Sequence, residues 1–237
     1  MSVTNLPVAE AVAATATAQP TPNGDVRLKM SYEEFLRTTD ESKHAEWVNG
    51  ETIIFIPPTT DHQRLVGFLY ALLLNFVHHF QLGEVFVAPY EMKLTAEGSS
   101  REPDILFIAT EHLTRLEAKR LEGPADLIIE VISPSSVYRD RSDKFDEYEA
   151  AGVHEYWLVD GREDKQNASF WVLDESGKYR AALVDEHGVY RSTVIPKLWL
   201  KLEWLWTAEP VSPILAFAEI AGLPDEMVEV LRQSAGR

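Results

Sequence analysis

Three polar side chains step through the middle of this chain: Asp104 directly after Pro103, Glu130 inside an apolar run, and Lys144 further on. Both acids lie in segments that read as strands, Pro103-Asp104-Ile105-Leu106-Phe107-Ile108 and Asp126-Leu127-Ile128-Ile129-Glu130-Val131-Ile132. An ionised carboxylate within an apolar strand is costly unless something compensates it. A divalent cation held between two such strands would do so, because Mg²⁺ favours oxygen ligands and keeps several waters. A neighbouring lysine could then stabilise an oxyanion or help deprotonate a water. Together these groups are the minimal equipment for metal-assisted phosphodiester hydrolysis.

Each residue also has a plainer reading. Pro103 has no N–H for a sheet ladder and belongs at a strand start, so Asp104 can be a turn or capping acid as well as a cleft acid. Acids are almost never fully buried unless paired, so Glu130 is either half of a structural salt bridge or functional. Asp140, Lys144 and Tyr148 form one stripe on a predicted helix, where an Asp–Lys pair at the surface would contribute little. Glu46 and His62 read as structural, with the cleft or the substrate as the alternative. His78 and His79 are adjacent rather than four apart and cannot share a helix face as metal ligands. No phosphate loop, dinucleotide fingerprint or serine elbow is present.

The elements that position these residues follow from local patterns. Residues 1–26 lack any aromatic side chain and read as a disordered tail. Ser31 caps a short helix through Glu34. Residues 45–48 and 51–55 flank Asn49-Gly50, a type I′ hairpin signal. Thr60 or Asp61 caps a core helix running to about Phe80, with Leu65, Phe68, Leu69, Leu72, Leu73, Phe76 and Phe80 at helical spacing. Strands are expected at 85–94, 104–108, 127–132, 155–159, 169–173, 179–184 and 198–205, with Gly98-Ser99-Ser100 a flexible link. A helix over 139–151 ends at Gly152, and Pro213 and Pro224 each open a C-terminal helix. The sum is a mixed α/β (α+β) domain over 27–206, with a central sheet flanked by helices and a helical extension over 207–237.

Composition narrows the choices. The 237 residues suffice for one sizeable core, and 45% of them are hydrophobic. With no cysteine, disulfide frameworks, thiolate zinc sites and cysteine nucleophiles are excluded. No apolar run is long enough to span a bilayer. The first residues lack a basic n-region, which leaves a cytoplasmic protein as the expectation. A formal charge of −16 argues against a general DNA coat protein, since phosphate binding needs a basic face. A chain with this charge must gather its 22 Lys and Arg locally, bridge phosphate through metal, or bind something else.

The chain resembles the PD-(D/E)XK nuclease superfamily, and more closely its Uma-two branch of restriction-endonuclease-like proteins. The resemblance rests on Glu46-Trp47-Val48-Asn49-Gly50-Glu51, His62, Glu102-Pro103-Asp104-Ile105, and the run from Asp126 to Ser135. Asp140, Lys144, Tyr148 and the run from Gly152 to Asp160 extend it. It spans roughly 28–206. It implies a restriction-endonuclease-like core, a mixed four-stranded sheet with helices on both sides. It further implies Mg²⁺ or Mn²⁺ on Asp104 and Glu130, catalysis by Asp104, Glu130 and Lys144, and a DNA substrate cut to leave a 3′-hydroxyl and a 5′-phosphate. The superfamily lysine two positions after the second acid is absent, since Ile132 stands there; the resemblance maps it to Lys144. Glu46, His62, Asp140 and Tyr148 are possible supporting residues, and a homodimer follows by analogy alone. Two rivals stand beside this: a binding or regulatory protein whose Glu130 and Lys144 form a closed pair, and a hydrolase of other phosphoesters.

Overall fold

In the computed structural model the described residues are 26–38, 45–54, 59–133, 136–137, 139–207 and 209–234. The tail expected over 1–26 therefore lies outside them except for Val26, which opens the first strand. Strand β1 (Val26–Lys29) leads to helix α1 (Tyr32–Thr38), whose Glu34 N–H donates to Ser31 Oγ at 3.2 Å as the cap signal requires. Strands β2 (Ala45–Val48) and β3 (Glu51–Ile54) form the expected hairpin, with Asn49 at φ 49° and Gly50 at φ 83°. Two successive left-handed residues make the type I′ turn that matches strand twist.

Helix α2 (Thr60–Phe80) buries Leu65, Val66, Leu69, Leu72, Leu73, Phe76 and Val77 along one face. Its cap is Thr59, whose side chain accepts from His62 N–H at 3.3 Å, not Thr60 or Asp61. A helix starts where a side-chain oxygen can reach the N–H three residues on, and Thr59 does so first.

The strand expected over 85–94 is two strands, β4 (Gly83–Val87) and β5 (Glu91–Lys93), in different sheets. Pro89 lies between them and cannot extend a ladder. The link at 98–100 is also different: Ser100 begins β6 (Ser100–Arg101), a buried pair of residues bridging β5 and β2. Strand β7 (Ile105–Ala109), a 3₁₀ turn, and β8 (Arg120–Glu122) follow. Strand β9 (Leu127–Ile132) buries all six residues, and a π-type turn at Arg139–Asp143 enters helix α3 (Lys144–Ala151). Gly152 at φ 87° ends α3.

Strands β10 (Glu155–Asp160), β11 (Asn167–Leu173), β12 (Tyr179–Ala181), β13 (Val189–Arg191) and β14 (Trp199–Lys201) complete the β structure. The strand expected over 198–205 stops at Lys201, after which Leu202–Leu205 turn as a 3₁₀ helix. Helices α4 (Pro213–Ile220) and α5 (Asp225–Ser234) form as their prolines indicate.

The central sheet has the order β12-β11-β10-β9-β7-β4, with β9 and β10 parallel and the other neighbours antiparallel. A second sheet, β1-β3-β2-β6-β5-β8, stands beside it. Helix α2 and helix α4 share one apolar core with Ile105, Phe107, Leu127 and Ile129. Tyr148 of α3 shares the other with Leu106, Ile108, Ile128 and Ile132. Burying each such Leu or Ile contributes about 1.5–3 kcal/mol, which is why β9 reads as a nearly continuous apolar run. Among the described residues, no helix is long and apolar enough to cross a membrane.

Candidate active site

The ladder between β7 and β9 pairs Ile105 with Ile129 and Leu106 with Ile128. The ladder ends there, with Asp104 the residue just before Ile105 and Glu130 the residue just after Ile129. Alternation puts both acids on the face that carries Leu106, Ile128 and Ile132, toward α3. Asp104 Oδ2 accepts from Val131 N–H at 2.7 Å, which fastens the start of β7 to β9. From the N-terminal turn of α2, His62 Nε2 approaches the same oxygen at 3.2 Å.

The α3 stripe is buried rather than a solvated surface. Asp140, Lys144 and Tyr148 are 1%, 3% and 0% exposed, so the surface ion-pair reading of this stripe fails. Lys144 Nζ lies 2.7 Å from Glu130 Oε1, 3.2 Å from Glu46 Oε1 and 3.7 Å from Asp140 Oδ1. Tyr148 donates its hydroxyl to Glu130 Oε1 at 2.8 Å. Ile132, where the superfamily lysine would stand, is buried in the apolar cluster beneath α3. The ammonium thus reaches Glu130 from the helix, over the strand.

The second sheet closes the other side. Glu46 on β2 is fully enclosed, accepting from Arg101 Nη1 at 2.8 Å and from Glu102 N–H at 3.2 Å. Arg101 on β6 turns its Nε and Nη2 to the two oxygens of Glu147 on α3, both at 2.9 Å. The guanidinium therefore ties the second sheet to α3. Arg101 and Glu147 were not anticipated from sequence: a two-residue strand leaves no periodic signal. The only available hint was an arginine two residues before Pro103.

Charge in this cluster is unbalanced. Glu46, Asp104, Glu130, Asp140 and Glu147 gather around Lys144, Arg101 and Arg139. Burial pushes Glu130 up to about 8, with Lys144 opposing and Asp140, Asp104 and Glu46 adding to the rise. Burial raises Asp140 as well. Burial works against ionised Glu46 too, but the Lys144 and Arg101 cations hold it well below the usual carboxylate range. Asp104 is likewise desolvated, yet the His62 hydrogen bond and charge bring it below its ordinary value. Burial disfavours the Lys144 ammonium, and Glu130, Glu46 and Asp140 more than offset that.

Glu155 shows what a structural buried acid looks like in this fold. It accepts from Tyr190 Oη at 2.9 Å, Ser192 Oγ at 3.0 Å, Thr193 N and Oγ1 at 2.7 and 2.8 Å, and Val194 N at 3.0 Å. Such a carboxylate is saturated. Asp140 Oδ1 is not: it is buried without a hydrogen-bond partner, and so is His62 Nδ1 on the other flank.

The residues 32–203 match the Uma2 family, described as "Putative restriction endonuclease". The chain belongs to the Uma2 family. A crystal structure from Anabaena variabilis ATCC 29413, titled a "putative nuclease belonging to DUF820", has the same fold at a TM-score of 0.58. The two chains are 18% identical, and the similarity covers 73% of this chain and 96% of that one. No curated protein matches the chain. For this Uma2 chain, the mixed sheet flanked by helices agrees with the expected restriction-endonuclease-like architecture.

Among the described residues no group of three or more His, Cys, Asp or Glu is arranged to hold a metal ion. The donor types nevertheless suit a hard divalent cation: Asp104 is held by the N–H of Val131, next to Glu130, and Asp140 Oδ1 is buried without a hydrogen bond. Carboxylate oxygens are what Mg²⁺ and Mn²⁺ take, and a cation would relieve the surplus of negative charge.

Proposed function

We propose that this protein is a Mg²⁺- or Mn²⁺-dependent endonuclease that hydrolyses DNA phosphodiester bonds. The observation that carries the reading is Lys144 Nζ 2.7 Å from Glu130, with Asp104 fastened to the N–H of the adjacent Val131. Membership of a family described as restriction endonucleases supplies the substrate class.

Asp104 and Glu130 would hold the metal, with a main-chain carbonyl near Val131 or Ile132. When bound, the cation supplies Lewis-acid stabilisation of the phosphoryl oxygens and lowers the pKa of a water. The protein's own residues do the rest. Val131 N–H and His62 Nε2 fix the Asp104 carboxylate in one orientation. Tyr148 fixes that of Glu130. Lys144 stays cationic among three carboxylates and is placed to stabilise the extra negative charge of the pentacovalent phosphorane or to position the attacking water. Glu46, itself held by Arg101, holds Lys144 from behind. A homodimer would present one such site to each DNA strand.

One observation favours a second reading, a nuclease-fold binding protein: Lys144 and Tyr148 already satisfy Glu130 Oε1. Substrate class separates the possibilities. Labelled duplex DNA, single-stranded DNA and a mononucleotide ester are incubated with the protein and Mn²⁺, and product ends are mapped. The endonuclease reading expects internal cuts with 5′-phosphate ends. Turnover of the ester alone would assign a small-phosphoester hydrolase, and turnover of none would favour the binding protein.

A further inference from the structure

With a net charge of −16, any DNA-binding surface must be built from few cations placed well. The end of β10 is such a place. Asp160 is 1% exposed, and two guanidinium groups converge on it. Arg162 grips it with Nε at 2.8 Å and Nη2 at 2.7 Å, and Arg141 Nη2 lies 3.2 Å away. One bidentate arginine already neutralises a carboxylate. The second is surplus to structural need. The exposed pairs Lys178–Glu149 and Lys201–Glu219 by contrast set one cation against one carboxylate.

The position of the pair ties it to the candidate active site. In the parallel ladder of β9 and β10, Leu158 pairs with Glu130 and Asp160 with Ile132, so Asp160 stands one pleat beyond Glu130 on the same face. Arg141 belongs to the π-type turn that also carries Asp140, whose Oδ1 lies 3.7 Å from Lys144 Nζ. The chain at Gly161 presses on α2 so closely that a Cβ there would fall 2.2 Å from Leu65 Cδ1. Leu65 is one turn from His62 on the same helix face. Arg141 therefore directly follows Asp140 of the candidate site, and Arg162 directly follows the contact of Gly161 with the helix that carries His62. Their side chains are 47% and 24% exposed, and Nη1 of each is directed to no part of Asp160 in these bonds.

We infer that Arg141 and Arg162, set by Asp160, form a cradle for a backbone phosphate of the nucleic-acid strand entering the candidate active site. The inference rests on the nuclease reading. Planar guanidinium groups bind phosphate oxygens in pairs, and Asp160 holds these two ready without cancelling both charges. The contact is to phosphate and carries no base preference.

The test is fluorescence anisotropy with a labelled duplex over a range of KCl, with Ca²⁺ present to neutralise the acids. Wild type is compared with Arg141→Gln, Arg162→Gln and, as a remote surface control, Lys178→Gln. Arg141→Gln leaves Arg162 on Asp160, so it decides the matter even if Arg162→Gln melts early. The expected result is about tenfold weaker binding for each arginine variant, alike on unrelated sequences. The slope of log K against log salt should also fall by about 0.9 for each. Lys178→Gln should match wild type. Wild-type affinity and slope in Arg141→Gln, or an equal loss in Lys178→Gln, would overturn the cradle and leave the nuclease reading standing. A wild type that binds no duplex would overturn both.

Discussion

Lys144 Nζ and Glu130 Oε1 are 2.7 Å apart, although the lysine comes from a helix and the acid from the central strand beneath it. Glu46 and Asp140 compete for the same ammonium, at 3.2 and 3.7 Å. One ammonium therefore touches three carboxylates, of which Glu46 is also held by Arg101.

Asp104→Asn should abolish metal-dependent DNA cleavage while the fold survives. The amide oxygen can still accept from Val131 N–H, so the β7–β9 junction persists. A circular dichroism melt within a few degrees of wild type, together with loss of nicking, is the expected pair of results.

Metal affinity should depend on pH. Burial raises Glu130 to about 8, so near neutral pH a proton competes with the cation for this carboxylate. The sign follows: apparent affinity rises with pH and levels off above about pH 8. Titration calorimetry with Mn²⁺ in buffers of different ionisation enthalpy would show proton release that shrinks as pH approaches that plateau. A flat profile with no proton release would remove Glu130 from the ligand set.

Lys144→Gln should lose cleavage yet respond more strongly to metal. Without the ammonium, Glu130, Asp140 and Glu46 repel one another, and a divalent cation becomes their main relief. The melting temperature should drop without metal and recover by more on adding Mn²⁺ than wild type gains, as mass action requires of a ligand selective for the native state. An identical shift in both proteins would place the metal away from this lysine.

Glu46→Ala should destabilise the protein by about 3 kcal/mol, because it removes a carboxylate shared by buried Arg101 and Lys144. Urea unfolding measures this directly. Glu46 sits well below the normal carboxylate range, so its contribution is present above its unfolded-state value and lost as pH falls through the acid range. The gap between wild type and variant should narrow accordingly below about pH 4.

Much of this arrangement was legible in the chain. The five apolar positions of β9, the Asn49-Gly50 hairpin and the face of α2 each follow from local pattern, because burial on both faces, left-handed turns and helical period leave direct marks in sequence. Asp104 and Glu130 stood out because an acid in such a run demands a reason. What sequence could not convey was distance. The break at Pro89 sends β4 and β5 to different sheets, and Ser100-Arg101 forms a strand too short to have a period. Arg101 consequently gave no sign that it would join Glu46 to Glu147. Asp140 and Lys144 read equally well as a surface pair, and only the packing of α3 on the sheet decides that they are buried.

The most direct test is supercoiled plasmid incubated with wild type and with Asp104→Asn, Glu130→Gln and Lys144→Ala, in Mg²⁺, Mn²⁺ or EDTA. Nicking by wild type in metal, absent in EDTA and lost in all three variants, is the expected result. Metal-dependent nicking that persists in folded Asp104→Asn or Glu130→Gln would contradict the assignment of this site.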